Sequence, residues 1–503
     1  MSYASAVDQL YALGQELTSP GASTPRRKFD LAHMRTLAAS LGDPQRSFAS
    51  VLIAGTNGKG STAATLGSIL ATAGYRTGLY TSPHLLRVNE RIQLSVPALP
   101  SEYASVDAPI SAGPSTLMPI SDEDFGRHYF ETERVAKGLV DSGALPHMPS
   151  FFEMLTAIAF LYFAERRAEI VVLEVGLGGR LDATNIVDPL LSIITDISLD
   201  HQDYLGSTLG EIAWEKAGIL REGGTLIMLP QHPEANRVFG EVAAGLHGLR
   251  AVSAVPYMPA HRGAGGDPGQ DGDRAAKGAD RDSAAEDTRE TLLPRSRYRV
   301  TLDGNDVMVA SPLRGQHQQR NVALAIAAAA DLRNHKGYIL ADSAIEQGIA
   351  GTLWPGRLQV LPMPGGRTLL VDVAHNPAGA WTLRSALAQM PSELPRTLIF
   401  SCLRDKNVAE MTQILFPLFD STSAEEERRG DHIVLAPIDS PRGAAIGDLV
   451  SAARVLEAPA HAAPHLSGAF AEACELTPEG GLIVATGSVY LVGEILRLMR
   501  EKL

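Results

Sequence analysis

The sequence predicts an α/β fold, and three observations carry that prediction. Eight short apolar runs recur along the 503 residues with Gly, Pro or Asp at their ends, and runs of this length read as strands buried on both faces, as parallel strands are. Several of the stretches between them carry apolar side chains at helical spacing. No apolar run approaches the ~20 residues that a membrane helix needs, so no transmembrane segment is expected.

In chain order the runs are VLIAG from Val51, IVVLEVG from Ile170, LLSIITD from Leu190, TLIMLP from Thr225, TLLVDVA from Thr368, TLIFSC from Thr397, HIVLAP from His432 and GLIVATG from Gly481. Thr62 to Ala73 illustrates the helices between them, with Leu66, Ile69 and Leu70 on one face; Asn321 to Leu332 is an alanine-rich helix of similar quality. The N-terminal residues from Met1 to Ser19 read as a helix start and not as a secretory signal. At roughly 150 residues per domain the chain makes two or three domains. Strands resume after TLWPGR, so a boundary is placed near Thr352, giving domains 1–352 and 353–503.

Two segments break the alternation. His261 to Thr291 is rich in Gly and Asp with no apolar side chain beyond alanine and one proline, and burial there cannot offset the entropy of ordering. It reads as a disordered insertion. Ser95 to Ser121 contains five prolines and reads as an extended loop.

Hydrophobic residues at 45% and charged ones at 20% suit a chain that buries a core. Lys and Arg number 44 against 57 Asp and Glu, and the net charge of -13 argues against nucleic acid held by a general basic surface. Cys402 and Cys474 lack any metal-ligand spacing, which fits a reducing cytoplasm without a disulfide framework.

The sharpest motif is VLIAGTNGKGST, Val51 to Thr62, where a buried strand enters a Gly-rich turn followed by Lys59 and the hydroxyls that open a helix. Such a turn points backbone N–H groups at phosphate oxygens, Lys59 adds positive charge, and the helix N-terminus favours an anion. A nucleoside triphosphate is the expected ligand. The spacing departs from G-x-x-x-x-G-K-[ST], because Ile53 stands where the first glycine belongs and Gly60 intervenes before Ser61.

Thr81-Ser82-Pro83-His84 follows a second apolar run; alone it reads as a turn, and at a strand end it would present hydroxyls beside the phosphate loop. Glu174 lies inside an apolar run, where a carboxylate is costly unless it meets a metal or a partner such as Arg180. Asp200, His201 and Asp203 offer hard ligands for a divalent ion, or a helix N-cap with an exposed His. Lys216 follows Glu215 in an apolar setting, as a surface cation or a buried group with a shifted pKa. In the second half, Asp372, His375 and Asn376 end a strand at the kind of edge where α/β proteins bind ligands. Arg357, Arg404 to Lys406 and Arg442 add cations, each by default a solvated loop residue.

Taken in order, GTNGKGST, TSPHL, SFFEMLT, LEVGLGGRLDATN, LDHQDYLG, WEKAGI, WPGR and DVAHNP resemble the bacterial folylpolyglutamate synthase and dihydrofolate synthase family of the Mur ligase superfamily. The resemblance spans about Phe48 to Gly487, apart from the two insertions. It implies an N-terminal P-loop domain with a mostly parallel sheet, a smaller C-terminal Rossmann-like domain, and an ATP-dependent amide ligase. In such an enzyme the carboxylate of dihydropteroate or of a folate becomes an acyl phosphate, and L-glutamate displaces the phosphate.

Carried onto this sequence, the resemblance places Thr56, Asn57, Gly58, Lys59, Gly60 and Ser61 on the triphosphate, and Asn321, Arg357 and Asp372 on ATP. It makes Ser82, Glu174 and His201 ligands of two Mg²⁺ ions. It matches Lys216 to a lysine carried as N6-carboxylysine and His375 to the histidine of its loop, which with Lys59 form the catalytic set. Ser150, Phe151, Phe152 and Glu153, with Leu181, Asp182 and Ala183, align with a pteroate or folate pocket, and Arg442 with the glutamate side. The implied partners are small molecules alone, with no nucleic acid or membrane, acting on a monomer. A Mur-type UDP-muramoyl ligase shares the phosphate loop, and a P-loop NTPase switch is the alternative of another class. GLGGRLDATN and WPGR weigh against the first, and the Lys216 motif and the second sheet domain against the other.

Overall fold

The computed structural model describes residues 2–14, 30–97, 115–260, 292–419, 421 and 430–502. Two compact units result: one of Met1–Tyr257, Leu302–Val307 and Arg320–Trp354, the other of Met258–Thr301, Met308–Gln319 and Pro355–Leu503.

The first unit is built on β1 (Ala49–Ala54), β2 (Thr77–Tyr80), β3 (Ile92–Pro97), β4 (Ser115–Pro119), β5 (Ile170–Glu174), β6 (Leu191–Ile194), β7 (Thr225–Met228) and β8 (Arg250–Ser253). They form one sheet in the order β4-β3-β2-β5-β1-β6-β7-β8. Strands β2, β5, β1, β6, β7 and β8 run parallel, and β3 and β4 close one edge antiparallel. Helices α1 (Tyr3–Ala12), α2 (Leu31–Ser40), α3 (Lys59–Thr72), α4 (Asp122–Asp141), α5 (Phe151–Glu165), α6 (Gln202–Leu205), α7 (Leu209–Ala217) and α8 (Pro233–Gly245) alternate with these strands.

A two-stranded sheet pairs β9 (Arg295–Leu302) with β10 (Asn305–Arg314), and α9 (Gln316–His335) and α10 (Asp342–Ala350) follow. The second unit carries β11 (Gln359–Pro362), β12 (Thr368–Asp372), β13 (Arg396–Phe400), β14 (His432–Leu435), β15 (His461–Ala462) and β16 (Leu482–Thr486), in the order β11-β12-β16-β13-β14-β15. All its pairings are parallel except β11 with β12. Helices α11 (Pro377–Leu387), α12 (Val408–Leu415), α13 (Ile446–Val455), α14 (Leu466–Leu476) and α15 (Val489–Lys502) complete the alternation.

The expected α/β fold is what the chain adopts. Each of the eight apolar runs is a parallel strand, and every residue of β5, β6, β12, β13 and β16 is buried. The loop expected over Ser95 to Ser121 is corrected at both ends. Ser95 and Val96 belong to β3, and Leu117 and Thr116 of β4 pair with them in register. Prolines did not prevent this because Pro97 and Pro119 sit at strand ends, where a missing N–H costs little. Residues 98–114 and the expected disordered segment 261–291 lie outside the described residues. Among the described residues no helix is long and apolar enough to cross a membrane.

Strand order determines where a site can form. From β1 the chain passes through α3 to β2 on one side, and β6 lies on β1's other side, so the connections diverge at the carboxyl end of β1. Helix α3 is held there by α10, whose Gly348 lies so close that a Cβ would fall 2.4 Å from Ile69 Cα. Ser68 Oγ also donates to the Gly348 carbonyl at 2.7 Å. Because the obstruction is backbone, Gly348→Ala should force the helices apart and lower stability by about 1–3 kcal/mol. Urea unfolding of the variant is the check; an unchanged midpoint would refute the close approach.

Candidate active site

At the carboxyl end of β1 the chain turns through Gly55, Thr56, Asn57 and Gly58 into α3. Gly58 takes φ +90°, a left-handed conformation natural to glycine, and a Cβ there would lie 2.2 Å from Asn321 Oδ1. The loop is stitched to the chain beyond β6: Thr56 N and Asn57 N both donate to the Asp196 carbonyl, at 2.8 and 3.3 Å. Thr56 Oγ1 donates to the Ser198 carbonyl and Asn57 Nδ2 to Ser198 Oγ. The Asp196 carboxylate is in turn gripped by Arg320 of α9 through Nε at 2.9 Å and Nη2 at 2.7 Å. Thus Thr56, Asn57, Gly58, Lys59, Gly60, Ser61 and Asn321 lie together at the N-terminus of α3, a place that favours anions.

Two lysines converge on one carbonyl. Lys59 Nζ donates to Gly55 O and Thr56 O, each at 3.1 Å, and Lys216 Nζ donates to the same Gly55 O at 2.7 Å. Lys216 projects from the last turn of α7 and is 4% exposed. It is therefore the buried form of the two the sequence left open. Burial, and after it the charge of Lys59, bring its pKa down to about 7, against an opposing pull from Asp200 and Asp182.

Glu174 ends β5 at 3% exposure, and its Oε2 accepts the Ser82 N–H at 3.1 Å, joining two of the three expected metal ligands. The Ser82–Pro83 peptide is cis. The alternative partner for Glu174 is excluded, because Arg180 Nη2 is paired with Glu215 Oε1 at 2.9 Å and its guanidinium lies over the Trp214 ring. His201 sits at φ +50° before α6, its N–H bonded to Asp200 Oδ1 and its Nε2 3.9 Å from Asp200 Oδ2. Among the described residues no three His, Cys, Asp or Glu side chains group as a metal-holding set. Ser82 and Glu174 are thus in contact, while His201 lies on the separate loop before α6.

The segment after β5 wraps around one buried carboxylate. Asp182 Oδ2 accepts from Gly176 N and Leu177 N, while Oδ1 accepts from Thr184 N and from Thr184 Oγ1 at 2.5 Å. Burial pushes its pKa up, and these bonds oppose that shift. Leu181 and Ala183 flank it. Across from this loop, Ser150 and Glu153 form the capping box of α5, with Glu153 Oε2 accepting from both Ser150 N and Ser150 Oγ. These two residues position the helix. Phe151 is buried at 3% exposure, whereas the half-buried Phe152 lies against Gly176 and the Tyr80 ring.

In the second unit, Asp372 Oδ2 accepts from Leu358 N at 2.8 Å and Oδ1 from Ala374 N at 2.9 Å. Burial pushes its pKa up to about 6 despite these bonds and the charge of Arg357. Arg357 Nη1 donates to the Pro355 carbonyl, and Asn376 Oδ1 caps α11. His375 Nδ1 lies 2.8 Å from the Val373 carbonyl, so Nδ1 carries the proton and Nε2 is the basic nitrogen of the neutral ring. Arg442 is ion-paired with Asp405 at 2.7 Å.

Sequence reasoning missed Asp196 and Arg320, whose only signal was adjacency to the motifs. It also missed the buried Arg91, whose Nε donates to His84 Nδ1 at 2.8 Å, with the Tyr11 hydroxyl 3.1 Å from His84 Nε2. Nothing in the spacing of those three residues pointed to the cluster.

Known proteins similar to this chain cover most of its length. Residues 356–489 match the family described as Mur ligase, glutamate ligase domain. The dihydrofolate synthase/folylpolyglutamate synthase of Bacillus subtilis is 30% identical over 93% of this chain and 95% of its own length. The enzyme of the same name from Escherichia coli is 31% identical over 84% and 80%. Among solved structures, Mycobacterium tuberculosis folylpolyglutamate synthase complexed with ADP superposes with a TM-score of 0.74 at 28% identity, covering 99% of this chain and 98% of that one. Escherichia coli FolC in complex with DHPP and ADP gives 0.71 at 25% identity, covering 100% and 98%.

The depressed Lys216 pKa has a consequence for stability. Its folded value of about 7 lies below the ordinary 10.5, so between those values the unfolded chain binds one proton more than the folded one. Stability therefore rises with pH across that window, and the cost of burying the cation is greatest below pH 7. Lys216→Met removes the effect. In CO₂-free buffer the variant's stability advantage over the parent should shrink by a few kcal/mol between pH 7 and pH 10. A pH-independent difference in denaturant unfolding would refute the shift.

Proposed function

The chain belongs to the folylpolyglutamate synthase and dihydrofolate synthase family of Mur-type ligases, and from that premise we propose that it is an ATP-dependent ligase joining L-glutamate to the carboxylate of a reduced folate and of dihydropteroate. The observation that carries the reading is the convergence of Lys59 and Lys216 on Gly55 O, at a glycine loop with Glu174 and Ser82 joined at the end of the same sheet. A cradle of N–H groups and cations suits a triphosphate, and the buried carboxylate suits the metal that accompanies it.

Joining a carboxylate to an amine in water is uphill. In the proposed sequence a substrate carboxylate oxygen attacks the γ-phosphorus of ATP, the bond to the β,γ-bridging oxygen breaks, and ADP leaves. The amine of L-glutamate then attacks the acyl carbon and expels phosphate. Lys59 leaves its two backbone acceptors to neutralise charge on the transferred phosphoryl group. Asn321 flanks the phosphate loop at Gly58, and Arg320, by holding Asp196, keeps Thr56 and Asn57 in place. Phe152, Leu181 and Ala183 offer apolar surface to the pteridine, while Asp182 fixes the loop that presents them. In this reading Arg357 and Asp372 contact ATP, His375 belongs to the catalytic set and Arg442 contacts glutamate.

Magnesium suits the chemistry of the donors present: Glu174 would contribute a buried carboxylate, Ser82 a hydroxyl and His201 an imidazole. When bound, Mg²⁺ supplies charge neutralisation at the phosphates. An amine whose pKa is about 7 is substantially neutral at physiological pH, so Lys216 Nζ can add to CO₂, forming an N–C bond and releasing a proton. The resulting carbamate would be an anion able to help hold a second metal.

The purified protein, given ATP, Mg²⁺ and L-glutamate, should add one glutamate mass to dihydropteroate and to a reduced folate in separate reactions. Addition to the folate alone would limit it to polyglutamylation, and addition to neither would overturn the assignment. Lys59→Ala and Glu174→Ala should each lower product formation by at least about a hundredfold while leaving the circular dichroism spectrum unchanged. Native mass spectrometry in bicarbonate should show a CO₂-sized increase that Lys216→Met lacks.

A further inference from the structure

The phosphate loop has a contact that its motif does not contain. Above Gly60 lies the indole of Trp354: a Cβ on Gly60 would fall 2.6 Å from Cζ2 and 3.1 Å from both Cε2 and Nε1. Any other residue at position 60 would have to displace the ring. The departure of this loop from the usual order, with a glycine between Lys59 and the first hydroxyl, thereby acquires a physical cause. Gly60 and Ser61 belong to the first turn of α3, whose N–H groups have no acceptor within the helix.

The chain leading into Trp354 is held in place. Thr352, 2% exposed, donates from Oγ1 to the Gly348 carbonyl at 3.0 Å and from its backbone N to Ile349 O at 3.2 Å, which ends α10 against α3. Pro355 restricts the backbone of Trp354 to extended conformations. The same helix is thus gripped twice by one stretch of chain, at Ile69 through Gly348 and at Gly60 through Trp354.

We propose that Trp354 is a positioning residue for the nucleotide: its ring sets the first turn of α3, and with it the N–H groups of Gly60 and Ser61 that face the phosphates. The inference rests on the reading of this loop as the ATP site. A rigid flat side chain suits the task, since a donor displaced by even an ångström loses much of its effect on a phosphate.

The test uses the full chain and its variants Trp354→Ala, Trp354→Leu, Gly60→Ala and the double variant Trp354→Ala/Gly60→Ala. ATP affinity is measured by calorimetry, KM for ATP and kcat by product formation, and melting by circular dichroism. Trp354→Ala should weaken ATP binding about tenfold, with the loss falling on KM for ATP more than on kcat. Trp354→Leu, which keeps apolar volume for folding, should weaken it about threefold. Gly60→Ala should weaken binding at least as much as Trp354→Ala. The double variant should bind better than Gly60→Ala, because the added methyl enters space the indole has left. Wild-type ATP affinity in both Trp354 variants, or a double variant no better than Gly60→Ala, would overturn the proposal even where melting temperatures fall. Failure of the parent chain to bind ATP would overturn the reading beneath it as well.

Discussion

The first unit's site depends on one backbone carbonyl. Gly55 O lies where β1 ends, and it accepts from the amines of Lys59 and Lys216, side chains that arrive from α3 and α7. Two cations cannot share one acceptor in a buried place without cost, and the cost falls on Lys216, the more deeply buried of the two. The arrangement leaves Lys59 half-buried beside the loop and buries Lys216, whose pKa burial brings down to about 7.

Each unit also organises a loop around a buried aspartate. Asp182 gathers three backbone N–H groups and a threonine hydroxyl, and Asp372 gathers the N–H groups of Leu358 and Ala374. A carboxylate used this way acts as a folding template for irregular chain, satisfying donors that no sheet or helix supplies. Glu174 differs: it sits at the end of a fully buried strand, and the Ser82 N–H is its bond to the neighbouring loop.

The parts of the fold that were legible in the sequence are those where burial acts on both faces of a strand. The runs from Val51, Ile170, Leu190 and Thr368 are predominantly apolar because the strands within them are buried on both faces. By contrast, β8 alternates half-buried and exposed residues, β15 has only two residues, and β3 and β4 lie at a proline-rich edge; none carries such a run. In the site, Glu174 and Lys216 were legible because a charge inside an apolar segment demands an explanation, and Lys59 because it follows a Gly-rich turn at a helix start. Asp196, Arg320 and Trp354 were not, because each acts across more than a hundred residues of sequence, and only the folded chain brings them to the phosphate loop. Glu153 shows the converse, since S-x-x-E is a helix-capping signature and the structure uses it as one.

Strand β1 lies between β5 and β6, whose residues come more than a hundred positions later, and its loop is finished by Asn321 and Trp354. Contacts of such long sequence separation form slowly, because the intervening chain must be ordered before they reward it. On the ribosome, the glycine loop therefore emerges early but takes its binding shape only after some three hundred further residues have been made. A nascent chain carrying the motif alone has no competent pocket, and nucleotide present during synthesis would stabilise only molecules whose first unit is complete.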